Sequence, residues 1–452
     1  MTSAIVMAAG KGTRMHSRHG KTMHKLLDRP IIEHICDTLE KLEIENRVFV
    51  VGFDGDSIRE HLKDRCDYAV QDPQQGTAHA VMQAVQLKDK TGKTLIINGD
   101  CPLISEETYR KLLDTADQYP LVVLTTVPED PASYGRIIRN ENGDVEAIVE
   151  KKDCNEEQLK VREINAGIYC VDNELLWKYL PEVNNDNAQK EYYVTDLVAI
   201  FRRHGHKVGA LIGDCEELQG INSHQELARA GKWLQRKINN YWMDRGVAFI
   251  DPDSVFIGPD VQIGQDTIIY PNVRMEGKTV VGMDNSIQDN CVFINAVIGN
   301  NNMINACRIT DSQVGDDNKI GPSSHLRNGC QIGSNCRIGN YVEMKNTVFG
   351  DGSKCAHLTY VGDATVGKKC NFGCGVVTVN YDGVHKFHTT IGDNCFIGSN
   401  VNIIAPVTVH DNTVLAAGST ITRDVLEGEM AIGRVRQENK PEYGFKYLKK
   451  DK

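Results

Sequence analysis

No run of apolar residues in this sequence is long enough to cross a bilayer, and its first residues lack the basic-then-apolar pattern of a secretory leader. A cytoplasmic chain without stable membrane insertion is the expectation. Its 14 cysteines form no C-x-x-C pair; Cys370 and Cys374 are the nearest late neighbours, and no clustered histidines complete a zinc set with them. Cysteines so unpatterned in so long a chain do not read as a disulfide framework, and free thiols are expected. Positive charge is also in deficit. The formal net charge of −10 disfavours nucleic acid and anionic membranes as partners and confines any anion site to a local basic pocket.

What is present is more specific. The 452 residues suffice for two domains, possibly three, each with its own core, and the 40 glycines are slightly numerous. The chain opens on "AIVMAAGKGTRM", Ala4 to Met15, in which small apolar residues lead into a glycine-rich turn carrying Lys11 and Arg14. A short, bare loop lets backbone N–H groups approach a ligand closely, and two neighbouring cations make phosphate the natural choice.

Residues 1–223 alternate short β-branched runs with amphipathic stretches, the pattern of an α/β domain with a mainly parallel sheet. "RVFVVG" (47–52), "TLIINGD" (94–100) and "LVVLTTV" (121–127) read as buried strands; "IIEHICDTLEKL" and "TAHAVMQAVQL" read as helices. A helical connector is expected over 224–246. From 247 to 452 the pattern changes. Val314, Ile320, Leu326, Ile332 and Ile338 fall six apart, as do Ile391, Ile397, Ile403, Val409, Leu415 and Ile421, and several are followed by glycine. Helices do not repeat at six. A parallel β-helix of hexapeptides does, with each apolar residue pointing inward. The register breaks between 373 and 390, and a loop ejected from a solenoid is a place where function sits.

Taken in order, "AAGKGTRM", "KTMH", "QQGTAHA", "NGDCPL", "YGRI", "EINAGIY" and "GINS" resemble the sugar-nucleotide pyrophosphorylases. Together with "GNYVEMKN", "AHLTYVGDA" and "VNYDG" the whole chain is similar to the bacterial bifunctional N-acetylglucosamine-1-phosphate uridyltransferase/glucosamine-1-phosphate acetyltransferase family. The resemblance implies a Rossmann-like α/β nucleotidyltransferase domain followed by a left-handed parallel β-helix. It also implies a homotrimer with acetyl-transfer sites between subunits, Mg²⁺ as cofactor, and acetyl-CoA and UTP as co-substrates. The product, UDP-N-acetylglucosamine, supplies cell-wall precursors.

For uridylyl transfer, the backbone of Ala8, Ala9, Gly10 and Gly12 is expected to wrap UTP, with Lys11 and Arg14 drawing charge from the departing pyrophosphate. Lys21 matches the family's second lysine near the α-phosphate, whereas Lys25 reads as a solvated surface residue. The resemblance makes Asp100 and Asn222 the Mg²⁺ ligands; taken by itself, Asp100 in "GDCP" reads equally well as a turn or capping aspartate. Gln71, Gly76 and Thr77 match the positions that read uracil, and Gly135, Glu150 and Asn165 the N-acetylglucosamine contacts. Glu150 alone would pass for a charged strand end. Asn98, where some members carry Tyr, and Asp28, where glycine is usual, depart from the family pattern.

For acetyl transfer, His357 matches the family's base, although a lone histidine is more often a corner residue satisfied by backbone. Glu343 is a candidate to orient its imidazole. Arg327, Lys345, Tyr360 and Asn371 match the glucosamine-1-phosphate contacts. Asn380 and Tyr381 lie in the interrupting loop, where Asn380 positions the amine or steadies the tetrahedral intermediate. Cys374, Ser399, Ala417 and Arg434 match the acetyl-CoA site. Cys374 replaces the family's alanine and reads as a packing residue in preference to a nucleophile. His16, His19, His204 and His206 read as surface residues, and the basic "FKYLKKDK" as a solvated tail. The alternative is a uridyltransferase whose repeats serve oligomerisation or regulation alone, against which the intact His357 and "VNYDG" argue. A sensor or scaffold would have lost Asp100, Lys21 or Lys11, and all three are present.

Overall fold

The computed structural model describes residues 1–131, 134–187 and 189–448. The end of the tail, 449–452, falls outside them. The chain divides into two compact units, Met1–Leu234 and Gln235–Lys452. That division falls inside the helix His224–Met243.

The first unit is built on a twisted sheet. Its main path runs Val208–Ile212, Leu121–Thr126, Ile164–Asp172, Lys93–Asn98, Thr2–Ala8, Asn46–Val51, Asp67–Val70. All pairings along it are parallel except those of Ile164–Asp172, which is antiparallel to both neighbours. The opening run "AIV" is apolar on both faces because both faces are covered. Ile5 joins one apolar cluster with Val48 and Ile96, while Ala4 and Val6 join another with Phe49 and Leu95. From the central strand Thr2–Ala8 the chain first runs outward to Asp67–Val70. It then returns to Lys93–Asn98 on the other side of the centre. That reversal makes the carboxyl ends of two adjacent parallel strands the sheet's switch point, where ligands of open α/β sheets bind. The glycine loop leaves one of these ends and "GD" leaves the other.

The apolar spacing over 77–87 predicts one helix. The structure ends it at Gln83 and follows with a 3-10 turn, Val85–Leu87. Leu87 is still buried, which accounts for the extended pattern, while Val85 turns out to solvent.

In the second unit the six-residue period is a parallel solenoid. Phe256 pairs with Arg274 and Arg274 with Val292, eighteen residues on each time, so three hexapeptides make one coil. Each inward residue of the two runs picked out by spacing is at most 5 % exposed. Corners demand left-handed backbone, and Asn or Asp supplies it at Asn335, Asn394 and Asn412. The glycine after Ile338 is required by proximity, since a Cβ at Gly339 would lie 2.1 Å from the Ala356 carbonyl of the next coil. The expected break over 373–390 is narrower in the structure. Val377–Val379 still stacks on the coil below, and the excursion is the segment after it, closed by an antiparallel bridge between Tyr381 and Lys386. The ladder resumes where Ala364 pairs with Thr389.

Candidate active sites

At the sheet's switch point in the first unit, Gly12 takes φ +63°, and a Cβ there would lie 2.6 Å from the Cβ of Lys21. Only glycine lets the loop turn this closely onto Lys21. The Lys21 Nζ donates to Asp100 Oδ2 at 2.6 Å and to Asn222 Oδ1 at 3.0 Å. Asn222 is held there by its neighbour, the Ile221 N–H donating to the Asp100 carbonyl at 2.9 Å. Two hard oxygens from residues far apart in sequence thus converge on one cation. Among the described residues no group of three His, Cys, Asp or Glu could hold a metal. Asp100 and Asn222 therefore fit a divalent ion only if phosphate oxygens and water complete its shell, as in nucleotide-bound metal sites.

Ala8 and Ala9 are buried and Gly10 is exposed, with nothing within 4 Å of the place its Cβ would take. Lys11 and Arg14 both reach solvent, the Lys11 ammonium lying 5.5 Å from the centre of the Phe53 ring. Lys25 is exposed, in keeping with a surface lysine. Tyr134, which sequence reasoning missed, shares this neighbourhood. Burial pushes its phenol up, as do the charges of Cys101, Glu226 and Asp100, while Arg14 opposes them.

Gln71 is 5 % exposed and donates through Nε2 to the Gly76 carbonyl at 2.8 Å. The same nitrogen lies 3.2 Å from His79 Nδ1. Its carbonyl oxygen is left to accept from a ligand N–H. Gly76 sits at φ +107°, and a Cβ there would lie 2.4 Å from the Tyr192 carbonyl. The Thr77 hydroxyl accepts from Val194 N at 3.0 Å, so the segment 192–194 is tied to the 76–77 turn.

Gly135, Glu150 and Asn165 come together. Asn165 N donates to the Gly135 carbonyl at 3.1 Å, and a Cβ at Gly135 would lie 3.3 Å from Glu150 Oε1. The Asn165 amide donates to the Tyr169 hydroxyl at 2.8 Å. Tyr193 and Asp196 were not singled out from sequence, yet Glu150 and Asp196 both raise the phenols of Tyr169 and Tyr193, after burial itself. Burial also raises the Asp196 carboxyl.

Asn98 ends its strand against Gly167, where a Cβ would lie 2.1 Å from the Asn98 Nδ2. In the turn joining Lys25–Leu26 to Arg29–Pro30 the left-handed residue is Leu27, at φ 58°, so Asp28 is under no demand for glycine.

In the second unit, His357 is exposed at a corner and pairs in register with Asn340. Carrying the register from Cys355↔Phe372, Phe372↔Ile397 and Ile397↔Leu415 two residues on places Cys374, Ser399 and Ala417 directly above it. The corner is stitched by Asn400 N donating to the Cys374 carbonyl and Gly418 N to the Ser399 carbonyl, both at 2.8 Å. Arg434 lies beyond, its Cδ 3.6 Å from where a Gly418 Cβ would be. Four positions picked by resemblance thus form one column leading from His357 towards Arg434. Cys374 contributes its backbone to this ladder. Leu358 occupies the left-handed corner site next to His357 at φ 41°, a conformation that costs a non-glycine residue about 1–2 kcal/mol.

On the face beside that corner, Arg327, Lys345 and Gly362 are in register, as are Glu343 and Tyr360. Gly362 makes room for the Tyr360 phenol. Asn371 belongs to the other face meeting at the His357 corner, in register with Lys354 and Phe396. The expectation for Glu343 is corrected. Its Oε1 accepts from Arg327 Nε at 2.8 Å and Nη2 at 2.7 Å, so it orients the guanidinium and leaves the imidazole alone. Lys386, in the excursion, was missed for want of a periodic signal. It lowers the Lys345 ammonium, as do burial and Arg327, with Asp363 opposing. Asn380 is buried and donates to Asp363 Oδ2, whose other oxygen accepts from Asn346 Nδ2 at 2.8 Å. Burial would raise the Asp363 carboxyl, but these two amides and the Lys345 and Lys386 charges outweigh it and hold it low. Tyr381 is exposed, its hydroxyl donating to the Gly383 carbonyl at 2.6 Å.

Known proteins are similar to this chain along most of its length. Residues 3–248 match the nucleotidyl transferase family, and residues 311–346 and 388–423 match the bacterial transferase hexapeptide family of six repeats. The bifunctional protein GlmU of Clostridium botulinum is 46 % identical over 441 residues, covering 97 % of this chain and 96 % of the relative. That of Exiguobacterium sibiricum is 45 % identical over 444 residues, covering 97 % and 99 %.

Proposed function

This chain belongs to the family of bifunctional GlmU proteins, and from that premise we propose which of its residues carry each activity. The enzyme transfers acetyl from acetyl-CoA to glucosamine-1-phosphate. It then transfers uridylyl from UTP to N-acetylglucosamine-1-phosphate, releasing pyrophosphate and forming UDP-N-acetylglucosamine for cell-wall synthesis.

In uridylyl transfer the backbone of Ala8 to Gly12 cradles the triphosphate, and Lys11 and Arg14 stabilise the charge leaving with pyrophosphate. Asp100 and Asn222 would hold a divalent ion, which we take to be Mg²⁺ and which would supply positive charge against the phosphate oxygens. Lys21, which here bonds both of these oxygens, would then turn its ammonium to the α-phosphate. Gln71 reads the uracil imide, with Gly76 and Thr77 fixing the turn around it. Gly135, Glu150 and Asn165 receive the sugar. The reaction is positioning and charge neutralisation throughout, with the sugar phosphate as the in-line nucleophile.

In acetyl transfer His357 takes the proton from the amine of glucosamine-1-phosphate as it attacks the thioester. Arg327, steadied by Glu343, grips the phosphate with Lys345, Lys386 and Tyr360, and Asn371 approaches from the adjoining face. Cys374, Ser399, Ala417, Tyr381 and Arg434 line the path of the CoA chain along the corner.

The observation that carries this reading over a scaffold role is the crowding of Lys345 by Lys386 and Arg327, like charges that repel unless an anion such as a sugar phosphate binds among them. Association is read from the solenoid's third face. Its outward column, from Gln262 through Val280, Val297, Gln313, Gln331 and Val348 to Thr408, carries no charge, while a neighbouring face bears Lys319, Arg337 and Lys354. We take that uncharged face for the contact of a homotrimer, whose dissociation by Val297→Lys in sedimentation is the check. The free thiols and the substrates fit a reducing cytoplasm.

The experiment follows thiol release from acetyl-CoA and glucosamine-1-phosphate, and separately pyrophosphate release from UTP and N-acetylglucosamine-1-phosphate. Both are expected, with EDTA stopping pyrophosphate alone and Mg²⁺ restoring it. Pyrophosphate without thiol would make the solenoid a scaffold.

A further inference from the structure

We propose that Asp363 is a positioning residue for acetyl transfer, fixing the amide of Asn380 so that its carbonyl oxygen is turned away as an acceptor for the substrate amine. This rests on the reading of the second unit as the acetyl-transfer site. The register Lys345↔Gly362 and Tyr360↔Val377 stacks Asn346, Asp363 and Asn380 at one corner on successive coils. The carboxylate of Asp363 sits between two amides, accepting from Asn346 Nδ2 at 2.8 Å on one oxygen and from Asn380 Nδ2 on the other. A carboxylate can only accept, so the orientation of both amides is dictated. Asn380 must present its nitrogen to Asp363 and its oxygen elsewhere.

Elsewhere along the corner such a pair closes on itself, as where Asn295 Nδ2 donates to Asp311 Oδ1 at 3.0 Å. Asp363 differs in holding a second, buried amide at the base of the excursion. That amide's residue also anchors the returning strand, its carbonyl accepting from Phe387 N at 2.9 Å next to Lys386. One carboxylate therefore sets the amide and, through the same residue, the loop bearing a phosphate-side cation. One of the two amide N–H groups of Asn380 is committed to Asp363, and the oxygen this turns away suits an amine N–H.

The test is D363N, which keeps shape and tolerates the left-handed backbone at this position, φ 48°. The new amide has one oxygen for two donors, so Asn380 loses its fixed orientation. In steady-state thiol release kcat is expected to fall about 10- to 100-fold with the KM for acetyl-CoA unchanged, while circular dichroism shows the chain still folded at the assay temperature. The double exchange D363N/N346D moves the carboxylate one coil down, where it accepts from the new amide and leaves that amide's oxygen for Asn380. Recovery of kcat to within about 3-fold of the parent is the expected result. Wild-type kcat in D363N, or a double exchange as slow as the single, overturns the inference. No thiol release from the parent enzyme overturns the reading of the site itself, and this inference with it.

Discussion

Gly10→Ala separates folding from ligand binding in the opening loop. In the free protein a Cβ at Gly10 meets nothing within 4 Å, and its backbone lies outside the left-handed region. Folding should therefore lose nothing, and by restricting the unfolded chain the change stabilises by about 0.4–1 kcal/mol. The space is open only if no phosphate fills it. With UTP cradled on the backbone of Ala8 to Gly12, the methyl displaces a phosphate oxygen from at least one N–H, a charge-assisted bond worth roughly 1.5–3 kcal/mol. At 1.4 kcal/mol per decade, the KM for UTP rises about 10- to 100-fold. Initial rates of pyrophosphate release against UTP concentration read the loss, and a thermal melt reads the stability. Gly12→Ala cannot serve in its place, because the clash with Lys21 would damage fold and site together. An unaltered KM in Gly10→Ala, with the melt unchanged or raised, would refute the phosphate cradle.

The remaining predictions concern other parts of the structure. Gly76→Ala forces a Cβ onto the Tyr192 carbonyl at a φ of +107°, so a loss of about 2 kcal/mol or more in urea unfolding of the first unit is expected. A raised KM for UTP should accompany it through Gln71. Asn302→Ala cuts a buried ladder in which Asn302 Oδ1 accepts from Asn318 N at 2.9 Å and its amide donates to Asn285 Oδ1 at 3.0 Å. The orphaned groups should cost the second unit roughly 2–3 kcal/mol by denaturant titration. Burial holds the His34 imidazole below its usual value of 6.5, with the Leu26 carbonyl opposing at 2.9 Å and Arg29 adding to the drop. The unfolded chain therefore binds the extra proton first, so stability is full above about pH 6.5 and declines as pH falls from there towards the folded-state value. Stability measured between pH 5 and 8 should show that slope, and His34→Gln should flatten it.

The sequence carried the architecture well because two periodicities are dictated by burial. Six-residue spacing survives wherever a side chain must point into the solenoid, and Val314 through Ile338 are all buried as expected. The central strands were legible for the same reason, since Ala4 to Val6 are covered on both sides. What the spacing could not carry were contacts between coils. Cys374, Ser399 and Ala417 are 25 and 18 residues apart because the excursion lengthens one coil, so their alignment with His357 emerges only from the ladder. Lys386 lies in a segment with no period at all. Glu343 read as a candidate to orient His357, but alternation along its strand places it beside Arg327. The Lys21–Asp100–Asn222 cluster came from resemblance, since no local signal links residues so distant. His206 read as a surface histidine, yet its ring nitrogen lies 3.0 Å from the Tyr179 hydroxyl, a long-range contact invisible to composition.

The central claim is that one chain holds two independent catalytic sites. The most direct measurement is a crossed pair of variants, His357→Ala and Asp100→Ala, each assayed for thiol release and for pyrophosphate release from directly supplied N-acetylglucosamine-1-phosphate. His357→Ala should lower thiol release by about 100-fold or more and leave pyrophosphate release within about 2-fold. Asp100→Ala should lower pyrophosphate release by about 100-fold or more and spare thiol release. Each activity then reports that the other unit's lesion did not unfold the chain. Loss of both activities in either folded variant, or of neither, would contradict the assignment.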